Sequence, residues 1–404
     1  MGFLQSTEKN GGSRGSLPAL SFPPEFLEIL VVLCLDKMPR SWLDLFLTFR
    51  FRDLLMRCAL DSVFKVGFGV ELNCLEGSSK EGNAFMEAFD EANALTYWRF
   101  VDPFWKLKRY FNIGSEASIK KNVKVIDDFN DKEDILSRFL MESEKDPEKM
   151  NDKYLRDIIL NFMIAGKDSA ANTLSWFLYM LCKNPVVQEK VAQEVRDVVG
   201  GKAYEASVND FIENINDVTL DQMHYLHAAL TETLRLYPAV PVDVRSADID
   251  DILPDGFKVK KGDEVYYMAY AMGRMPYIWG EDAEDFRPER WLNNGTFQPE
   301  SPFKFIAFNV CIVAYLIAIF SFYMRHVIVV KLILYALWSG LQAGPRICLG
   351  KDFAYRQMKI LSIALLHFFR FKLANENKKI TYRTMFTLHI NGELPLCAVS
   401  RTAS

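Results

Sequence analysis

The octapeptide A-G-P-R-I-C-L-G at 343–350 decides how this 404-residue chain is interpreted. It stands directly before a helix predicted over roughly 352–370, where apolar residues recur every three to four positions. The thiol of Cys348 therefore lies near a helix N-terminus, where the helix dipole and unpaired N–H groups favour a thiolate. The alternative is a buried, inert cysteine in a Gly-Pro turn, which is the commoner situation for any single cysteine.

Three neighbours of Cys348 suit a flat ligand bound at the sulfur. Gly344 and Gly350 carry no side chain and allow the backbone to pass close to a flat ligand. Arg346 stands two residues from the sulfur, and its guanidinium suits an acidic group on such a ligand. The octapeptide thus predicts a cysteine site for a flat ligand with acidic groups.

A second feature interrupts the strongest helical pattern of the chain. An apolar stripe at i, i+3, i+4 spacing begins at Leu155 and resumes at Leu174, with the small and polar A-G-K-D-S of 165–169 between the two halves. The candidate functional residues of this gap are Gly166, Asp168 and Ser169. The structural alternative is a helix kink, with a polar side chain capping the restart.

A third feature pairs E-T-L-R at 232–235 with F-R-P-E-R-W at 286–291. Glu232 and Arg235 are three residues apart on a helix predicted over about 221–236, off its leucine face. Taken alone, they are an exposed ion pair that stabilises a helix by a few tenths of a kcal/mol.

The composition is that of an ordinary globular protein, with 50% hydrophobic residues, 25% charged residues and a net charge of −4. This balance excludes a basic surface for nucleic acid. The cysteines are spread singly with no CxxC pair, which indicates a reducing compartment. Helical patterns dominate, and strand-like segments occur at 257–271 and 371–400. The predicted fold class is mainly α with small β-sheets.

Taken in order along the chain, these motifs resemble those of the cytochrome P-450 superfamily, whose cysteine loop is similar to G-P-R-I-C-L-G. The resemblance implies the cytochrome P-450 fold in an incomplete form, haem b as cofactor and a monooxygenase reaction. Cys348 would be the ligand of the haem iron, and a thiolate at that position favours O–O cleavage. Arg346, Gly344 and Gly350 would help to bind the cofactor.

The resemblance also assigns roles outside the cysteine loop. Asp168 and Ser169 would relay protons during oxygen activation, with Gly166 opening space for dioxygen. Ser169 stands where most members carry threonine. Arg245 would contact a haem propionate. The E-x-x-R pair would lock to a downstream arginine in a structural triad of Glu232, Arg235 and Arg290.

Three longer stretches are similar to the plant long-chain fatty-acid ω-hydroxylase branch of the family. They are D-L-L-M-R-C-A-L-D-S-V-F-K-V-G-F-G, A-L-T-Y-W-R-F-V-D-P-F-W-K-L-K-R-Y and P-A-V-P-V-D. This similarity implies that a lipid-like fatty acid is hydroxylated near its methyl end. It also implies electrons from an NADPH-cytochrome reductase and a place at the endoplasmic reticulum membrane, with the catalytic part facing the cytoplasm.

The chain also departs from the family pattern. Residues 1–44 have no family counterpart, so 45–404 is expected to be a truncated catalytic domain without the N-terminal anchor and early helices. These departures favour an alternative function, that of an inactive, truncated or mis-spliced haem-thiolate protein that associates with membranes.

A hydrophobic insert at 310–342 interrupts the domain between Phe308 and Cys348. Without its 33 residues, the phenylalanine would stand seven positions before the cysteine, as family cysteine loops require. The insert contains no Asp, Glu or Pro, and a retained in-frame intron that starts with GT and ends with AG would translate into such a segment. The competing interpretation is a membrane helix over 305–324.

Overall fold

The computed structural model describes residues 51–68, 74, 80–99, 102–132, 161, 163–199, 214–253, 256–308, 347–348 and 350–401. The predictions for Gly344, Arg346, the segment 1–44 and the insert at 310–342 lie outside these residues. Within them, no helix combines the length and the apolar character that crossing a bilayer requires.

The described helices are α1 (Phe51–Phe68), α2 (Lys80–Trp98), α3 (Trp105–Phe111), α4 (Ser115–Lys132), α5 (Asp168–Lys183), α6 (Pro185–Val199), α7 (Asp217–Gln222), α8 (His224–Leu236), α9 (Ala269–Met272), α10 (Pro276–Trp279), the 3-10 turn Pro288–Trp291 and α11 (Lys351–Phe368). The described strands are β1 (Asp243–Ser246), β2 (Asp251–Ile252), β3 (Lys258–Val259), β4 (Glu264–Tyr267), β5 (Leu292–Asn293), β6 (Thr296–Phe297), β7 (Phe369–Leu373), β8 (Tyr382–Thr384), β9 (Leu388–Ile390) and β10 (Leu396–Ser400).

Helices α5, α6, α8 and α11 share the larger apolar core. Trp176 and Phe177 of α5 are buried, as are Leu226 and Leu230 of α8. Helix α11 is buried over most of its length, which explains why its sequence is apolar on more than one face. The cysteine octapeptide therefore leads directly into the central helix of the core.

A second core lies between α1, α2 and α4. The rings of Phe85 and Phe129 stack with centroids 4.3 Å apart, and Phe64 meets Phe85 edge-on at 6.0 Å. Met163, which precedes α5, is fully buried in the same cluster. The polar gap at 165–169 therefore lies where the two cores meet.

Each β-sheet of the described chain is a two-stranded antiparallel pair. The pair of β8 and β9 closes at Thr384 and Leu388. The backbone of Leu388 binds α5, because the Trp176 indole N–H donates to its carbonyl over 3.1 Å. This contact holds β9 and its His389 side chain against α5.

The predicted fold class, mainly α with small sheets, is confirmed. The helix predicted over about 221–236 was wrong at its start, because the chain breaks at Met223 between α7 and α8. The Glu194 carboxylate of α6 accepts hydrogen bonds from the backbone N–H groups of Tyr225 and Leu226. This cap comes from a distant segment, so local sequence patterns do not show it.

Candidate active site

Cys348 lies at the start of α11, as its sequence position predicts. Its carbonyl accepts a hydrogen bond from the N–H of Lys351 over 3.3 Å, and the Gly350 carbonyl accepts one from Ala354 over 2.8 Å. Its own N–H donates to the carbonyl of Phe308 over 2.8 Å. The half-buried cysteine is therefore held by backbone contacts from both sides of the hydrophobic insert.

The space beside the sulfur suits the haem that the resemblance implies. Among the described residues, apart from its chain neighbours and its own helix, a Cβ placed on Gly350 would contact the Sγ of Cys348, at 4.0 Å. A side chain at this position would therefore lie beside the thiol, and glycine keeps it away. The position of the thiol at a helix N-terminus favours the thiolate form, which is the form that binds iron. Haem held at Cys348 would supply the chemistry that activates dioxygen.

A chain of side-chain contacts links Phe308, the hydrogen-bond partner of Cys348, to α11 and α8. The ring of Phe308 lies 5.1 Å from that of Tyr355, one turn into α11. The Tyr355 hydroxyl and the Thr231 hydroxyl of α8 are 2.9 Å apart, within hydrogen-bond distance. His227 stacks on Tyr355 with centroids 4.2 Å apart. Helix α8 therefore holds the first turn of α11 in place. No sequence motif around Tyr355 or Thr231 predicts this role.

The polar gap at 165–169 forms a helix bend. The segment 163–166 is helical, the chain bends at Lys167, and α5 begins at Asp168. The Ser169 hydroxyl donates to the carbonyl of Ala165 over 2.5 Å, a bond that competes with the regular helix pattern. The predicted kink is therefore present. Neither Asp168 nor Ser169 caps α5, because the N-cap residue is Lys167, whose side chain makes no capping hydrogen bond to the first turn.

Gly166 has a packing role at this bend. A Cβ at this position would lie 2.5 Å from the Cγ2 of Val63 in α1, closer than side chains tolerate. The glycine therefore permits α1 to approach the segment that precedes α5. Its predicted role in making room for dioxygen stays a prediction.

Lys167 is a site residue that the sequence did not single out. Its buried ammonium lies 2.7 Å from Asp168 Oδ1 and forms a hydrogen bond with the Asp90 carboxylate of α2. Burial raises the pKa of Asp168, but the positive charges of Lys167 and Arg52 outweigh this effect and lower that pKa overall. A lysine inside an apolar helix pattern was the available signal, because such a group needs a partner when buried.

The structure brings Glu232, Arg235 and Arg290 together. Glu232 and Arg235 form a bidentate pair with both oxygen–nitrogen distances at 2.8 Å, and both side chains are fully buried. The Arg290 Nε lies 3.4 Å from Glu232 Oε1. The interpretation as an exposed helix pair is wrong, because the 3-10 turn Pro288–Trp291 covers α8 on this side.

Two further residues complete the triad, and sequence patterns missed them. The Trp291 indole N–H donates to Glu232 Oε2 over 2.8 Å. The Gly273 carbonyl accepts a hydrogen bond from Arg235, and a Cβ at Gly273 would lie 2.0 Å from the Arg235 carbonyl oxygen. Only glycine fits this close approach. The ion pair is thus satisfied by backbone and indole partners, as buried charges require.

Arg245 lies on β1, opposite Val265 of β4. Its guanidinium donates to the buried Asp243 carboxylate over 2.7 Å and lies 5.5 Å from the centre of the Tyr267 ring. The side chain remains 31% exposed. The structure thus holds Arg245 by an acidic partner of its own strand, and its contact with a haem propionate stays a prediction.

His227 of α8 lies between the rings of Tyr355 and Phe297. In the described part of the chain, no group of three or more His, Cys, Asp or Glu side chains is placed to hold a metal ion. A single thiolate, Cys348, therefore carries the metal-binding prediction.

Comparison with known proteins places these features in one family. The family model "Cytochrome P450" matches residues 44–310 and 342–395. The unmatched stretch between the two segments coincides with the hydrophobic insert.

Individual relatives are similar over most of this chain. "Cytochrome P450 704C1" of Pinus taeda is 46% identical over 373 residues, which are 85% of this chain and 65% of the relative. "Cytochrome P450 704B1" of Arabidopsis thaliana is 41% identical over 83% of this chain and 66% of the relative, and "Cytochrome P450 86B1" of the same plant is 37% identical over 87% and 61%. The chain spans about two thirds of the length of these relatives. On the family match and these identities, the chain belongs to the cytochrome P450 family.

Proposed function

We propose that this protein is a haem b monooxygenase that inserts one oxygen atom of O2 into a C–H bond of its substrate. The second oxygen atom leaves as water, and NADPH supplies the two electrons through a cytochrome reductase. The observation that carries the proposal is the placement of Cys348 at the start of α11, with its N–H on the Phe308 carbonyl and Gly350, which has no side chain, beside its sulfur.

The proposed substrate is a long-chain fatty acid hydroxylated near its methyl end. Support comes from the three sequence stretches that resemble the plant ω-hydroxylase branch. An apolar chain also suits a protein in which 13% of residues are aromatic. A membrane-bound substrate pool and a membrane-bound reductase are consistent with a place at the cytoplasmic face of the endoplasmic reticulum.

The roles proposed for the polar residues follow from their positions. Asp168, an anion at the helix bend, accepts and passes on protons, and Ser169 stands beside it with its hydroxyl on the Ala165 carbonyl. The triad of Glu232, Arg235 and Arg290 holds α8 and the turn at Pro288–Trp291 together. The three triad residues thus have a structural role and do not contact the substrate.

One experiment tests the proposal at its base. Protein expressed with added haem precursor is reduced and exposed to carbon monoxide, and a red-shifted Soret band reports thiolate ligation. The loaded protein is then supplied with a reductase, NADPH and separate fatty-acid, terpenoid and phenylpropanoid substrates. Hydroxylated fatty acid is the expected product. Turnover confined to the other two classes rejects the substrate, and a missing Soret band rejects the cofactor.

A further inference from the structure

A buried ammonium at the helix bend joins two carboxylates of different exposure. Lys167 is 1% exposed, and its Nζ contacts both Asp90 and Asp168. The Asp90 side chain keeps 50% of its surface exposed, whereas Asp168 keeps 15%. Lys167 therefore links a carboxylate that faces solvent to one that faces the interior.

The charges of this group depend on one another. Burial lowers the pKa of Lys167, but the two carboxylates outweigh it and raise that pKa overall, so the side chain stays an ammonium. Asp168 is stabilised as an anion chiefly by this cation. Its Oδ1 lies 2.7 Å from the Lys167 ammonium, so the ion pair is close enough for the cation to control the charge of Asp168.

Two further titratable groups near Asp168, Arg52 and His389, have hydrogen-bond partners of their own. Arg52 of α1 donates to the Ile390 carbonyl, over 3.3 Å. The His389 imidazole of β9 lies 2.8 Å from the Thr387 hydroxyl, and burial lowers its pKa to about 4, so it is neutral at pH 7. The groups facing the bend from the packed elements are thus Arg52, Asp90, Arg383 and His389. Among the described residues, Lys167 is the cation that lies within ion-pair distance of Asp168.

We propose that Lys167 is a positioning residue for the reaction. Its ammonium holds Asp168 in the carboxylate form at the bend, and Asp90 competes with Asp168 for the same ammonium from the solvent side. The proposal rests on the proposed function, in which Asp168 handles protons during oxygen activation. It predicts opposite effects at the two partners. Loss of the Lys167 charge raises the pKa of Asp168. Loss of the Asp90 charge lowers the pKa of Asp168, because the ammonium is then paired with Asp168 alone.

The first test needs no haem and no turnover. The unfolding temperature of the full chain is measured against pH for the wild type, Lys167→Met, Lys167→Arg and Asp90→Asn, each with and without Asp168→Asn. The difference within each pair follows the titration of Asp168. Its midpoint should rise by about one to three pH units in Lys167→Met and fall in Asp90→Asn. It should stay near the wild-type value in Lys167→Arg, and also in Lys190→Met, which removes an exposed lysine paired with Glu289.

The second test uses the haem-loaded enzyme and measures product per NADPH consumed across pH. The acidic limb of this profile should move to higher pH in Lys167→Met and to lower pH in Asp90→Asn. Shifts of the same sign in both variants, no shift, or a shifted titration with an unchanged profile would each overturn the role of Lys167. If Lys167→Met does not fold, the direction of the titration shift in Asp90→Asn tests the proposal by itself. Failure of the proposed function shows separately, as a missing thiolate Soret band or missing product with the titration intact.

Discussion

The backbone N–H of Cys348 donates to the carbonyl of Phe308 over 2.8 Å, although 39 residues separate them in the chain. Phe308 and Cys348 are therefore neighbours in space. Because these two residues are adjacent, a much shorter connection can join them.

The first prediction is that deletion of 310–342 stabilises the protein and increases its haem content. Shortening the connection from 39 residues to six lowers the entropic cost of closure by about 2 kcal/mol. It also removes a long apolar segment that invites aggregation in water. Chemical denaturation and the haem-to-protein ratio measure the two effects. Equal stability and equal haem content with and without the insert would show that 310–342 belongs to the working protein.

The second prediction concerns the thiolate. Cys348→Ala should abolish the red-shifted Soret band of the ferrous carbon monoxide adduct, because the iron then has no thiolate ligand. Cys397→Ala is the matched control, since Cys397 is a buried cysteine of β10 and should leave the band unchanged. A thiolate band that survives in Cys348→Ala assigns the ligand to another residue.

The third prediction separates oxygen activation from haem binding at the bend. Ser169→Ala should retain haem but lower the product formed per NADPH, by up to about 10²-fold, the lower end of what a positioned proton-transfer group contributes. Ser175→Ala is the matched control, because the Ser175 hydroxyl also donates to a carbonyl one turn back, that of Ala171 over 2.8 Å. Equal product yields in the two variants would show that the Ser169 hydroxyl has no role in oxygen activation.

The fourth prediction tests the buried triad. Glu232→Gln leaves the charge of the fully buried Arg235 without its anion and should lower the free energy of unfolding by about 3–5 kcal/mol. The same change at an exposed ion pair, Glu289→Gln beside Lys190, should cost at most about 1 kcal/mol. Denaturant titration of both variants measures the difference, and equal losses would contradict the buried placement.

The fifth prediction is an acid sensitivity carried by His227. Burial lowers its pKa to about 3 from an ordinary value near 6.5, so below pH 6.5 the unfolded chain binds the proton and the folded chain does not. Stability is therefore present above pH 6.5 and is lost as the pH falls. His227→Phe keeps a ring between Tyr355 and Phe297 and should lose about 2 kcal/mol less than the wild type between pH 7 and pH 5.

The matched control is His224→Phe, three residues earlier on the same helix. Free energies of unfolding for both variants are compared at the two pH values. If His224→Phe alone lowers the acid sensitivity, or if neither variant does, His227 is not its source.

Sequence patterns predicted a mainly helical fold because its helices bury continuous apolar stripes, which leave a periodic record in the chain. Helix α11 was predicted to within about two residues at each end for this reason. The same patterns failed at Met223, where α7 and α8 separate. The cap there is the Glu194 carboxylate, which lies about thirty residues away and leaves no local signal.

The sequence by itself determined the family and singled out Cys348 as the candidate iron ligand, because a cysteine in a Gly-Pro loop before a helix is a local pattern. It also suggested which polar residues interrupt α5. Only the tertiary structure decided which partners those residues have: Trp291 and Gly273 at the triad, and Lys167 with Asp90 at the bend. Ion pairs and close backbone approaches form between segments far apart in the chain, and charge and space in a folded core depend on those neighbours rather than on adjacent residues.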